Sequence, residues 1–288
     1  MTNERFDRNI RFFGEEGQDR LAASHVVIVG IGGLGSHVVQ QLALLGVGHL
    51  TLIDKEELDI TNLNRYVGVR QYDPLPGTLK VNLGYRLVKE INSGIDVYPM
   101  PISFMSEKAI DAIIKSDYVF GCLDCEGARL VLTELCSAYS IPYFDLASDI
   151  VPGHTINYGG RVCVAWDGHG CIVCYDQIDI AEAQSDLLSP DVLRNRDTIY
   201  GIERDALGVM GPSVVSINGV VASMAVTEFM LGVTGIRLPK RLLTYLGHMG
   251  IVTSAKEEPA PDCYYCKGIR GKRDKADIKR YIRAGITL

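Results

Sequence analysis

Short apolar runs alternate with longer amphipathic stretches along the first half of this chain. His25–Gly30 is a run of β-branched residues, too short to cross a bilayer and suited to a buried parallel strand. A glycine-rich turn follows, and Leu34–Leu45 then takes up helical periodicity. The same alternation predicts strands at His49–Asp54, Val97–Pro101, Tyr118–Leu123 and Pro142–Leu146. Between them it predicts helices over 80–91, 106–115 and 127–139. Residues 1–24 form an N-terminal helical arm, with Phe6, Ile10 and Phe13 at helical spacing. Strands alternating with helices mean an α/β fold: a Rossmann-like, doubly wound, mostly parallel sheet over residues 25–151.

The pattern changes near residue 152. Thr155–Tyr158 and Arg161–Trp166 flank Gly159-Gly160, which reads as a β-hairpin turn in an added antiparallel region. Residues 176–207 are polar and weakly periodic, which predicts a long crossover loop. Pro212–Leu231 returns to a strongly apolar helix, and Leu242–Leu246 and Gly250–Ser254 read as late strands. Residues 152–266 are expected to belong to the same domain as the parallel sheet. The tail, 267–288, carries eight Lys or Arg and two Asp, and reads as a solvated basic helix, with a contact surface as the alternative.

The 288 residues are 47% hydrophobic and 22% charged, enough to bury a large core. A net charge of −6 speaks against a nucleic-acid binder. The N-terminus lacks the apolar core of a signal peptide, and no uninterrupted apolar run reaches the roughly 20 residues of a membrane span. The expectation is a cytoplasmic protein with neither nucleic-acid nor membrane partners. Of eight cysteines, Cys122, Cys125, Cys136 and Cys163 sit in regular patterns as small hydrophobes. Each of the six histidines reads as a solvated or core residue.

Chemistry concentrates around the first turn. Gly30, Gly32 and Gly35 match G-x-G-x-x-G between a strand and a helix, where glycines let the backbone approach a phosphate at the helix N-terminus. Asp54 lies at the end of the next strand, where a carboxylate accepts ribose hydroxyls. This fits either NAD or ATP, so it places a nucleoside without naming it. Asn62, Arg65 and Lys80 follow, and hydride transfer has no evident need for them there. Nucleotidyl transfer does, because fixed cations neutralise charge that builds on phosphate oxygens. Asp124, at the carboxyl end of the strand Tyr118–Leu123, is placed to hold Mg2+ on those phosphates.

The ordered set Gly30–Gly35, the segment Leu52–Arg65, Lys80 and Cys122-Leu123-Asp124-Cys125 resembles the ThiF/MoeB/HesA superfamily of ubiquitin-activating-type adenylyltransferases. Arg5–Arg8, Gly208–Pro212 and two C-x-x-C pairs fall in the family's order as well, so the resemblance runs from Arg5 to Cys266. It implies that Gly32, Gly33, Leu34 and Gly35 hold ATP phosphates and Asp54 the ribose. It implies phosphate contacts for Asn62 and Arg65, with Lys80 near the α-phosphate and Mg2+ on Asp124. Arg8 matches an arginine that reaches into the neighbouring subunit's site, which implies a homodimer. The family motif usually continues Asp-Asn; here it is Asp124-Cys125.

Cys171-x-x-Cys174 and Cys263-x-x-Cys266 supply four thiolates, the number a tetrahedral Zn2+ takes. The 88 residues between the pairs exceed a zinc ribbon's spacing, so the spacing alone leaves the site open; the resemblance implies structural zinc. It also implies ATP-dependent adenylation of the C-terminal carboxylate of a ubiquitin-like or sulfur-carrier protein, or of a short peptide. Relatives that form a thioester place a cysteine in the crossover region, and this chain has none between Cys174 and Cys263. The expected enzyme stops at the acyl-adenylate. A nucleotide-binding scaffold and an NAD- or FAD-dependent oxidoreductase are the alternatives.

Overall fold

The computed structural model describes residues 3–73, 77–151, 156–188, 212–255 and 258–286. One eight-stranded sheet forms its spine, in the order β3-β2-β1-β4-β5-β6-β7-β8. The strands are β1 (His25–Val29), β2 (His49–Ile53), β3 (Asp96–Met100), β4 (Tyr118–Gly121), β5 (Tyr143–Val151), β6 (Asn157–Ala165), β7 (Leu242–Leu246) and β8 (Ile251–Ser254). The first five pair in parallel and the last three antiparallel. The helices are α1 (Asp7–Ala23), α2 (Gly33–Leu45), α3 (Lys80–Ile91), α4 (Glu107–Ile113), α5 (Glu126–Tyr139), α6 (Ile180–Asp186), α7 (Val215–Thr234) and α8 (Arg280–Arg283).

The period of two in the strands sorts side chains to the two faces. Val26, Ile28, Leu50, Leu52, Phe120 and Phe144 pack on α2 and α7, with Phe120 stacked on Phe144 at 4.7 Å. Val27, Val29, Ile53, Val119 and Tyr143 point the other way, onto α4 and α5. Burial of each such side chain contributes about 1.5–3 kcal/mol. Local signals set the helix ends: the Ser106 hydroxyl accepts from Ala109 N at the start of α4, and Gly46 ends α2 with φ of 85°.

Several expectations are corrected. Gly159-Gly160 is not a turn but lies inside β6. The hairpin is β5–β6, and its connection, with Thr155, falls outside the described residues. A Cβ on Gly159 would stand 1.9 Å from the Tyr245 carbonyl oxygen, and one on Gly160 2.4 Å from that of Ala147. These glycines serve close approach of neighbouring strands rather than reversal. The expected loop 176–207 contains helix α6, capped by Asp179, while residues 189–207 and Gly208–Gly211 fall outside the described residues. The tail is no solvated helix. It runs as short turns against α5, burying Ile269, Ala276, Ile278 and Ile286. Arg280 and Tyr281 donate to the buried Glu134 carboxylate at 2.6 and 2.7 Å. Val215–Thr234 is, by length and composition, long and apolar enough to cross a bilayer. In this fold it lies on the sheet, with Val221, Ala222, Ala225 and Phe229 buried and Glu228 ion-paired to Arg237 at 2.7 Å.

A candidate active-site cleft and a four-cysteine cluster

The carboxyl ends of the parallel strands open into a cleft of about 1250 Å³. Gly32, Gly33, Leu34, Asp54, Asn62, Arg65, Lys80 and Asp124 all line it, although 91 residues lie between Gly32 and Asp124. Open parallel sheets place ligands at this edge.

The glycines of the turn do different work. Gly30 takes φ of 86°, and a Cβ there would meet the Cys122 carbonyl oxygen at 2.5 Å. A Cβ on Gly35 would stand 2.0 Å from the Gly30 carbonyl oxygen, so α2 can approach β1 only with glycine at that position. Gly33 is packed by Asn218 of α7, whose Nδ2 would lie 2.5 Å from an added Cβ. Gly32 alone faces open space, with nothing within 4 Å. That opening, at the N-terminus of α2 with its unpaired N–H groups, has the form of a phosphate cradle.

Asp54 is held from two sides: its carboxylate accepts from Ile31 N at 2.7 Å and Glu56 N at 2.8 Å. Burial raises its pKa above the ordinary value, while these two N–H groups and Lys80 pull the other way. The segment after β2 is self-bracing. Asp59 accepts from Thr61 N at 2.8 Å, and Asn62 Oδ1 accepts from Asp59 N at 3.0 Å, a reciprocal capping box. Buried Tyr66 then donates to the Lys80 carbonyl at 2.7 Å, fastening this segment to the start of α3. Lys80 is buried, and its ammonium pairs with exposed Glu56. Arg65 donates to the carbonyl of Thr61 and, at 3.4 Å, to Asn64 Oδ1; among the described residues it has no carboxylate partner. Its charge is therefore free to meet an anion.

Asp124 follows β4 and is exposed, with no hydrogen bond or ion pair among the described residues. One free carboxylate beside a phosphate cradle suits Mg2+, which takes one or two carboxylates and draws its remaining ligands from water and phosphate. Next to it, the Cys125 thiol donates to Asp186 Oδ2 at 3.2 Å, and burial pushes its pKa up to about 11. It is a protonated donor rather than a thiolate. Asp186 also accepts from Gly127 N at 2.9 Å, capping α5 and docking α6 on the cleft rim. Arg8 is exposed in the first turn of α1 and is not among the residues lining the cleft of its own chain.

The second cluster lies beside β6. The sulfurs of Cys171, Cys174, Cys263 and Cys266 all lie within 4.8 Å of one another. The separations are 3.8 Å for Cys171–Cys174, 3.7 Å for Cys171–Cys263 and 3.3 Å for Cys174–Cys266. A tetrahedron with Zn–S bonds of about 2.3 Å has sulfur–sulfur edges of about 3.8 Å. The donor set and its spacing thus fit zinc, and the fold closes the 88-residue gap by placing both pairs at one end of the antiparallel strands.

Sequence reasoning missed the groups that brace the cleft: Asn218, Asp186, Glu56, and a buried cluster of Arg129, Asp145 and Arg161. Only Asp145 carries a sequence signal, as a charge inside an apolar strand pattern.

The ThiF family pattern matches residues 6–265. The SAMP-activating enzyme E1 of Haloferax volcanii is 28% identical over 99% of this chain and 96% of its own length. The molybdopterin-synthase adenylyltransferase of Escherichia coli is 32% identical over 60% of this chain and 68% of its own. The chain spans about a third of the length (33%) of MOCS3, an adenylyltransferase and sulfurtransferase of Bos taurus. Among solved structures, E. coli MccB with ATP superposes with a TM-score of 0.67 at 21% identity, over 92% of this chain and 75% of that one. This last likeness speaks to the fold.

Proposed function

The chain belongs to the ThiF family, and from that premise we propose that it adenylates the C-terminal carboxylate of a small ubiquitin-like protein or peptide. It is an adenylyltransferase of the ThiF/MoeB type, as its named relatives are. The observation that carries the reading is the convergence of the Gly32 opening, Asp54, Arg65, Lys80 and Asp124 on one cleft. ATP is the substrate whose parts these residues match: phosphates at the N-terminus of α2, ribose at Asp54, and cations over the reacting phosphate.

In the proposed reaction the substrate carboxylate oxygen attacks the α-phosphorus. The new P–O bond forms as the bond to pyrophosphate breaks, and the products are an acyl-adenylate and pyrophosphate. Arg65 and Lys80 neutralise charge on the departing oxygens. Mg2+ held by Asp124 would supply further charge neutralisation on the phosphates. The relatives' names speak of SAMP and of molybdopterin synthase. They support a protein C-terminus as the substrate class, with a short peptide as the other form. The absence of cysteine between Cys174 and Cys263 supports a reaction that ends at the acyl-adenylate, without an enzyme thioester. Arg8, exposed on α1, is proposed to serve the cleft of a second subunit in a homodimer. Zinc on the four cysteines is proposed to be structural.

The test is ATP–pyrophosphate exchange with Mg2+ and a panel of proteins and peptides, including C-termini ending in Gly-Gly. Exchange that depends on one acceptor and disappears in Asp124→Ala is expected. ATP binding with no exchange across the panel and no acyl-adenylate on mass spectrometry would refute adenylation. Gly32→Ala sharpens the test, because its methyl meets open space, so the variant should fold yet lose ATP.

A further inference from the structure

Asp145 is fully buried, with 0% exposure, on the central strand β5. Three donors converge on its carboxylate: Arg129 Nη1 at 3.1 Å, Tyr143 Oη at 2.9 Å, and the Arg161 guanidinium. Burial acts to raise its pKa, but Arg129 and Arg161 outweigh it and hold the group ionised, below the ordinary range. Buried charge triads of this kind are not efficient stabilisers, since well-packed apolar residues often do as well. What the two arginines do with their other nitrogens suggests a different use. Arg129 Nη2 donates to the carbonyl of Leu123, the residue before Asp124. Arg161 Nη2 donates to the carbonyl of Gln177 at 2.6 Å, three residues beyond Cys174. Gln177 N in turn donates to Ile172 O at 2.8 Å, within the cysteine segment. Both arginines line the cleft.

We propose that Asp145 is a positioning residue that, through Arg129 and Arg161, sets the place of the Asp124 loop and couples it to the segment leaving the four-cysteine cluster. One carboxylate orients two planar guanidiniums, and each guanidinium pins a main-chain carbonyl on a different part of the cleft rim. Without the anion, buried Arg129 keeps only its longer pairing with Glu126 Oε1 at 3.6 Å, and its hold on Leu123 loosens. A second tie between the same regions bypasses Asp145: Asp179 N donates to Glu126 Oε2 at 3.2 Å, and Asp186 caps α5. The inference rests on the reading of Asp124 as the Mg2+ carboxylate.

The experiment compares Asp145→Asn, Arg161→Gln and the double variant, which preserves the net charge of the cluster. It measures the Mg2+ dependence of pyrophosphate exchange, ATP affinity in EDTA, and amide hydrogen exchange over residues 122–128. Asp145→Asn should raise the Mg2+ concentration for half-maximal exchange on the order of 10-fold, the usual cost of losing an outer support of a metal ligand. ATP affinity in EDTA should stay within about twofold, because the Gly32 and Asp54 side is untouched, an expectation set by the additivity of distant sites. Residues 122–128 should exchange faster, while β2 and β3 keep their protection. Arg161→Gln, which leaves the Asp145–Arg129 pair intact, should show the same pattern more weakly and serves if Asp145→Asn does not fold. Folded variants with unchanged Mg2+ dependence and unchanged exchange over 122–128 would overturn the proposal. Absence of pyrophosphate exchange in the wild type would instead count against adenylation, and the amide-exchange comparison would still decide the coupling.

Discussion

The two halves of the sheet are held by different forces. In the parallel half, β1, β2 and β4 are short and almost wholly buried, and the adhesive is aliphatic and aromatic side chains pressed between helices. In the antiparallel half, β8 is exposed along its whole length, and the region carries the four-cysteine cluster, proposed to hold zinc, and ion pairs to Asp145 and Glu228. Apolar packing is indifferent to metal and pH, whereas sulfur and carboxylate ties respond to both. The cleft lies where the halves meet. It takes a rigid floor with the glycine turn from one, and a chemically tied wall from the other.

The strongest way to break this contrast is to remove the sulfurs. With zinc on the cluster as proposed, Cys263→Ser, or chelation, should cost several kcal/mol, given apparent binding energies of about 10–16 kcal/mol for structural zinc in small domains. Amide exchange should show residues 242–254 and 264–286 losing protection first while β1, β2 and β4 keep theirs. Simultaneous loss in both halves would mean the sheet is one cooperative unit. Phe120→Ala is the converse experiment. It removes the stack on Phe144 and the edge contact with Phe229 and should cost about 3–5 kcal/mol by denaturant titration, with all amides affected together.

Asp124→Ala separates chemistry from packing. The side chain is exposed, with no hydrogen bond or ion pair among the described residues, so the melting temperature should hardly move. Exchange should fall by about 10²–10³-fold, the scale for deleting one fixed charge stabiliser at a reacting centre. A smaller tie is Glu134, buried within α5. Glu134→Gln weakens the charge-assisted bonds from Arg280 and Tyr281 and should cost about 1.5–3 kcal/mol locally. Limited proteolysis near residues 278–286 would report it.

The mildest probe is acid. Asp73 is held below the ordinary Asp value of 3.8, first by its hydrogen bonds from Arg86. A depressed carboxylate binds protons less well folded than unfolded. Its stabilisation is therefore fully present above the ordinary value and disappears as pH falls through the folded one. Melting temperature against pH should accordingly show a shallower acid limb in Asp73→Asn than in the wild type.

Much of the floor of the cleft was legible from residue order. Gly30, Gly32 and Gly35 follow a β-branched run, Asp54 ends the next strand, and Lys80 opens a helix of clear periodicity. The wall was not legible. Gly159-Gly160 carries a turn signature, yet neighbouring backbones within 2.5 Å of an added Cβ account for it better. The basic tail has a solvated composition, but its four spaced apolar residues find the face of α5. Asp145, Arg129 and Arg161 look like unrelated charges until β6 pairs with β5 and brings Arg161 to Asp145, while Arg129 reaches it from α5.

By itself the sequence determined what short-range physics dictates: strand and helix periods, the phosphate-cradling turn, the family, and which residues carry charge or sulfur. The tertiary structure alone decided the rest. It closed an 88-residue gap into one sulfur cluster, placed Asn218 against Gly33, and set a single buried carboxylate between two arginines. Such contacts join residues distant along the chain. Their energies depend on distance and burial, which exist only once the sheet has assembled.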